Sequence, residues 1–232
     1  MWWNHLTKPP VWQAVWPIAL GFMPIGAAFG IFAQQTGFTA WEVLGFSMII
    51  FAGSAQFIGI AMMIAGSSIF SIVLTTFIVN LRHVLFSSTL ASYMSSSSKK
   101  FLALFAFGIT DETFAVNLGR FAQKTWSPSQ ALCLNMICYV AWALSTVAGC
   151  YIGEVIKIDT ALVGYALTAM FIGLWSFYLG KINMIIVGFL AGGLALVFSQ
   201  MVGYKLHIVL AAIIAATIGC LFENWATRRA RP

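Results

Sequence analysis

Eight apolar runs, at 14–33, 43–64, 69–92, 101–119, 130–152, 161–179, 183–201 and 206–225, take up most of this 232-residue chain. Runs near twenty residues match the helix length needed to cross a hydrocarbon layer of ~30 Å. Lipid offers the backbone no hydrogen bonds, so a crossing chain must close its own, as helices or as a closed barrel. A barrel would show ~10-residue segments of alternating polarity, a pattern foreign to this sequence. Composition agrees, because 61% hydrophobic residues against 8% charged ones leave too little polar surface to clothe a water-soluble fold. The expected fold is an all-α polytopic membrane protein with seven or eight transmembrane segments, some of them discontinuous or re-entrant. It forms one integral-membrane domain over residues 1–232.

The fourth run decides between seven and eight. Phe101 to Ile109 is apolar for only nine residues before Thr110-Asp111-Glu112-Thr113 interrupts it, too short to span alone, so a re-entrant or broken helix is expected there. The basic tail Arg228, Arg229 and Arg231 places the C-terminus in the cytoplasm by the positive-inside rule. With eight crossings, Lys8, Arg120, Lys124 and Lys181 join that tail inside, against Lys99, Lys100, Lys157 and Lys205 outside. With seven, Lys99 and Lys100 move inside and Lys8 moves out. The net charge of +6 therefore reads as membrane orientation, and no soluble region offers a nucleic-acid surface. Lys8-Pro9-Pro10 followed by a long run carrying Pro17 and Pro24 does not read as a cleaved signal peptide, so the first helix is expected to remain. Cys133, Cys138, Cys150 and Cys220 all lie in apolar runs and have neither a disulfide framework nor metal-ligand spacing; they read as small packing residues. No cofactor and no metal are expected.

Small residues mark close helix contacts. Gly26-Ala27-Ala28-Phe29-Gly30 is a GxxxG step, with Gly21 and Pro24 before it, and Gly188 to Gly193 is a second such stretch. Gly53-Ser54-Ala55-Gln56 admits two readings, simple packing or an unwound point where backbone groups and helix ends face a substrate.

Against this apolar background one cluster is costly. Asn80-Leu81-Arg82-His83 puts a permanent charge inside the third run, where even the mildest insertion scale charges ~2.5 to 3.5 kcal/mol for arginine at mid-bilayer depth. Such a residue must line a cavity or meet a partner. Thr76, Asn80, His83 and Ser87 follow steps of four, three and four and share one helix face. Arg82 lies ~200° round from Asn80 on a straight helix. Either the helix breaks near Asn80, or Arg82 pairs with another element. Asp111 and Glu112 are the candidate partners, and they read equally as acids favouring a helix's first turn or as intramembrane groups that load and unload protons.

Phe51-Ala52-Gly53-Ser54-Ala55-Gln56-Phe57, then Leu81-Arg82-His83-Val84-Leu85, then Phe107-Gly108-Ile109-Thr110-Asp111-Glu112 resemble, in order and spacing, the large subunit of the AzlC/YgaZ-type branched-chain amino acid exporters. The motifs cover residues 14 to 122, and the likeness continues to the C-terminus only as hydropathy and length. The resemblance implies a secondary transporter of the bacterial inner membrane, not an enzyme, that exports valine, leucine, isoleucine or related apolar amino acids. It also implies a small membrane subunit of the AzlD/YgaH type as partner, and proton coupling is the expected energy source. Motif residues carry over to Gly53, Gln56, Arg82, His83, Asp111 and Glu112; with Ser54 and Asn80 they make the expected substrate and coupling set. Two other classes compete. An intramembrane enzyme would have only Ser87 near His83 and no nucleophile elbow. A non-transporting structural subunit would satisfy the assembly without using the charges.

Overall fold

The computed structural model describes residues 9–155, 165, 172, 182–200 and 206–229. Among them all regular structure is helical: α1 (Pro9–Gln35), α2 (Ala40–Ile49), α3 (Gly53–Ile64), α4 (Ile69–Ala91), α5 (Lys99–Phe107), α6 (Asp111–Ala122), α7 (Pro128–Val155), α8 (Ile182–Ser199) and α9 (Leu206–Arg229). Four of these, α1, α4, α7 and α8, are long and apolar enough to cross a membrane, and the apolar part of α9 is Leu210–Phe222. The protein is a polytopic helical membrane protein. The expected sixth segment, 161–179, lies outside the described residues apart from Tyr165 and Ile172.

Two expected segments are split. The second, 43–64, is α2 and α3 with a break at 50–52, and the fourth is α5 and α6 with a break at 108–110. At 1.5 Å per residue each piece is roughly 14 to 18 Å long, about half a hydrocarbon layer. The restart of α6 is a local consequence of sequence. Thr110 caps α6, its hydroxyl accepting from the Thr113 amide at 3.3 Å while the Thr113 hydroxyl accepts from the Thr110 amide at 2.8 Å. Asp111 and Glu112 then occupy the first turn, where the helix dipole favours them. At the start of α3 the cap position is Ala52, which has no side chain to bond the first amides. By contrast α4 runs unbroken through Asn80 and Arg82, which removes the first of the two readings of that cluster.

The chain forms two compact units, Met1–Ser67 with Asn80–Leu167, and Ser68–Val79 with Thr168–Pro232, so α4 contributes to both. In the first, α1 and α7 pack along each other through small residues. A Cβ on Gly26 would run into Ser145, one on Gly30 into the Thr146 carbonyl, and one on Gly149 into the Ala27 backbone. The GxxxG step of α1 thus meets a second small-residue ladder, Ser145, Gly149 and Gly153, on α7. Phe22, Phe51, Phe105, Ile109 and Trp142 form one buried apolar cluster, and Phe29, Val43, Phe57 and Ile60 another. In the second unit α8 and α9 pack with Gly219 against Val187. Phe70, Phe77, Val84 and Leu85 of α4 are exposed, a surface suited to lipid rather than water.

A charge pair between two helix starts

Arg82 sits thirteen residues into α4, ~20 Å from its N-terminal end. Its Nη1 lies 3.1 Å from Asp111 Oδ2, and its Nη2 donates to Ser54 Oγ at 2.8 Å. The two side chains of the ion pair are about a quarter exposed, at 27% and 24%, whereas Ser54 is fully covered. The arginine therefore joins the first turn of α3 to the first turn of α6, which are the restarts of the two broken helices. Its Nε is buried with no hydrogen-bond partner among the described residues, so one N–H of the guanidinium fork is unpaired there.

Gln56, two residues further along α3, belongs to a different network. It is fully buried, donates to Ser47 Oγ at 3.0 Å and accepts from Trp142 Nε1 at 2.8 Å. Ser47 in turn shares a 2.9 Å bond with Thr146. Every polar group of that network is satisfied, which is what burial demands. Gly53 lies under the Trp142 ring, where a Cβ would come within 2.9 Å of Cη2. A larger residue at the α3 restart would push the indole off Gln56.

The remaining expected residues do not bond to the arginine. Asn80 Oδ1 is buried with no hydrogen-bond partner among the described residues. His83 stacks on Phe86, which lies 4.2 Å from Phe114 of α6, and with Ser87, Met94, Leu102 and Phe105 it lines a mostly apolar groove of about 470 Å³. Glu112 is half-buried beside Asp111 and makes no ion pair among the described residues. Nor do any three His, Cys, Asp or Glu side chains among the described residues gather closely enough to hold a metal ion.

Sequence reasoning missed the contribution of α7. Asn135, fully buried, accepts from Asn117 at 2.9 Å and donates to the Phe105 carbonyl at 3.2 Å; Tyr139 donates to the Met48 carbonyl at 2.9 Å. Both carbonyls belong to last turns of broken helices, where the helix runs out of amides to bond them; the Phe105 carbonyl also accepts from the Gly108 amide at 3.2 Å. The signal was present: Asn135, Tyr139, Trp142 and Thr146 recur at steps of four, three and four, the spacing that also marks the stripe on α4.

An arginine–aspartate pair held between interrupted apolar helices defines a class, the polytopic membrane protein with discontinuous helices and a charged interior. The AzlC protein family model matches residues 17–156, and the chain belongs to that family. It is 33% identical to the inner membrane protein YgaZ of Escherichia coli strain K12, over 88% of this chain and 84% of that protein. It is 30% identical to an uncharacterized membrane protein of Archaeoglobus fulgidus, over 90% of each. The branched-chain amino acid transport protein AzlC of Bacillus subtilis strain 168 is 29% identical over 67% of this chain and 61% of its own length. No solved structure matches the chain.

Proposed function

We propose that this protein is a secondary transporter that exports branched-chain and related apolar amino acids across the bacterial inner membrane. The observation that carries the reading is Arg82, bonded to Asp111 and Ser54 at two helix restarts with its Nε–H unpartnered among the described residues. A substrate amino acid brings an α-carboxylate. Arginine's planar fork suits a carboxylate, and the free amides of the uncapped α3 start add partial positive charge nearby. In this mechanism the substrate carboxylate competes with Asp111 for the guanidinium, and the released aspartate receives the substrate ammonium or a proton. The name of the Bacillus subtilis relative supports branched-chain substrates, and valine, leucine, isoleucine and methionine are the candidates.

Proton coupling is part of the proposal, with Asp111 and Glu112 as the coupling groups and His83 in reserve. So is assembly with a small membrane subunit of the AzlD/YgaH type, and a multi-pass arrangement whose C-terminus is cytoplasmic. Counterflow in proteoliposomes tests the reading, using radiolabelled valine, leucine, isoleucine and methionine with and without an imposed proton gradient and the small subunit. Labelled amino acid should accumulate against its own gradient in preloaded vesicles. Failure with all four substrates, with the subunit present, would eliminate the transporter reading.

A further inference from the structure

The face of α7 that carries Asn135, Tyr139 and Trp142 touches both helix breaks. At the first break, Tyr139 donates to Met48 O, its ring meets Phe51 edge-on at 5.0 Å, and Trp142 covers Gly53 and donates to Gln56. At the second, the same Tyr139 ring meets Phe107 at 5.6 Å, and Asn135 donates to Phe105 O and packs against Gly108. Breaks in an apolar layer are held open only where their freed backbone groups find partners. Here some partners are local, such as the Ile50 amide on the Phe46 carbonyl and the Gly108 amide on the Phe105 carbonyl. The side-chain partners at both breaks come from one continuous, largely buried helix, a single ring of which contacts both sides.

We propose that Asn135, Tyr139 and Trp142 are positioning residues that latch the two breaks to α7, so that the α3 and α6 starts, and with them Ser54 and Asp111, shift together rather than separately. This rests on the reading of the Arg82 centre as the transport site. Ser54 and Asp111 reach Arg82 from different broken helices, so a guanidinium that exchanges one partner for a substrate needs both starts in register. A latch that holds each break through a polar bond also supplies a defined way to release them.

Thiol reactivity tests the latch without any substrate. Ile109, fully buried in the second break, and Ala52, nearly buried in the first, are each replaced by cysteine in a Cys220→Ser background, which removes the exposed native thiol. Trp142→Phe deletes a polar bond at the first break and keeps an aromatic ring in place, while Tyr139, whose ring touches both breaks, is left unchanged. Loss of a bond worth ~0.5 to 1.5 kcal/mol should raise modification of Ile109→Cys, at the remote break, by about 2- to 12-fold. Asn135→Ala should raise modification of Ala52→Cys similarly. Unchanged reactivity at the remote break, whatever happens at the near one, overturns the latch. Counterflow supplies the second readout. Asn135 and Trp142 are ~10 Å apart along α7, a separation at which independent contacts add, so independent packing predicts that the KM increases of Asn135→Ala and Trp142→Phe multiply. The latch predicts a double variant no worse than the poorer single one. A parent chain that transports none of the four amino acids refutes the transport reading, while the thiol measurement still decides the latch.

Discussion

At the scale of single residues, Arg82 holds together what the backbone separates. Arg82→Ala leaves Asp111 without its cation, while Arg82→Lys keeps the charge but cannot bond Asp111 and Ser54 with one planar group. A charge-assisted hydrogen bond is worth ~1.5 to 3 kcal/mol, so either variant should lower export by about 10- to 150-fold at matched membrane abundance. Export by the lysine variant at the parental rate would show that a point charge suffices. Gln56 is a different case, since its side chain bonds Ser47 and Trp142 rather than the arginine. Its Leu variant strands the indole N–H, while the Ser47 hydroxyl keeps its bond to Thr146, and should lower thermal stability in detergent by roughly 1 to 3 kcal/mol.

At the scale of elements, the packing of α1 on α7 depends on glycine where the two backbones approach. Gly30→Ala drives a methyl into the Thr146 carbonyl and should destabilise the protein by about 1 to 3 kcal/mol, read as a lower unfolding temperature in detergent. Gly21 on the same helix has nothing within 4 Å of its missing Cβ. Gly21→Ala should be neutral or should stabilise α1 by ~0.5 to 1 kcal/mol through helix propensity. Equal losses from the two variants would refute the close approach. The start of α6 follows from a comparable local rule, because Thr110 offers a cap followed by two acids where an apolar run is too short to span.

At the scale of the whole molecule, transport against a gradient needs an energy source and an orientation. If protons supply the energy, a protonophore should abolish uphill export, and Asp111→Asn with Glu112→Gln should uncouple movement from the proton gradient while leaving exchange measurable. Export indifferent to all three would leave those acids as helix-start residues. The arginines at the end of α9 predict a cytoplasmic C-terminus. A reporter enzyme that folds only outside the cytoplasm should therefore stay inactive when fused there, and an active fusion would reverse the assignment.

The membrane class, the helical fold and the costly residues were legible in the linear chain, because each follows from local quantities: run length, the price of a charge in hydrocarbon, and the spacing of turn and cap residues. The break before Asp111 was legible for the same reason, since Phe101 to Ile109 is too short a run and Thr110 is a good cap. The break at 50–52 was only one of two readings, for Ala52-Gly53 carries no cap and an apolar run continues through it. Which acid meets Arg82, why Gln56 stands apart from it, and that α7 serves both breaks were decided by tertiary structure alone. Pairings between residues 28 to 91 positions apart depend on how helices lie side by side, and one helix's periodicity names the residues on a face without naming what that face will meet.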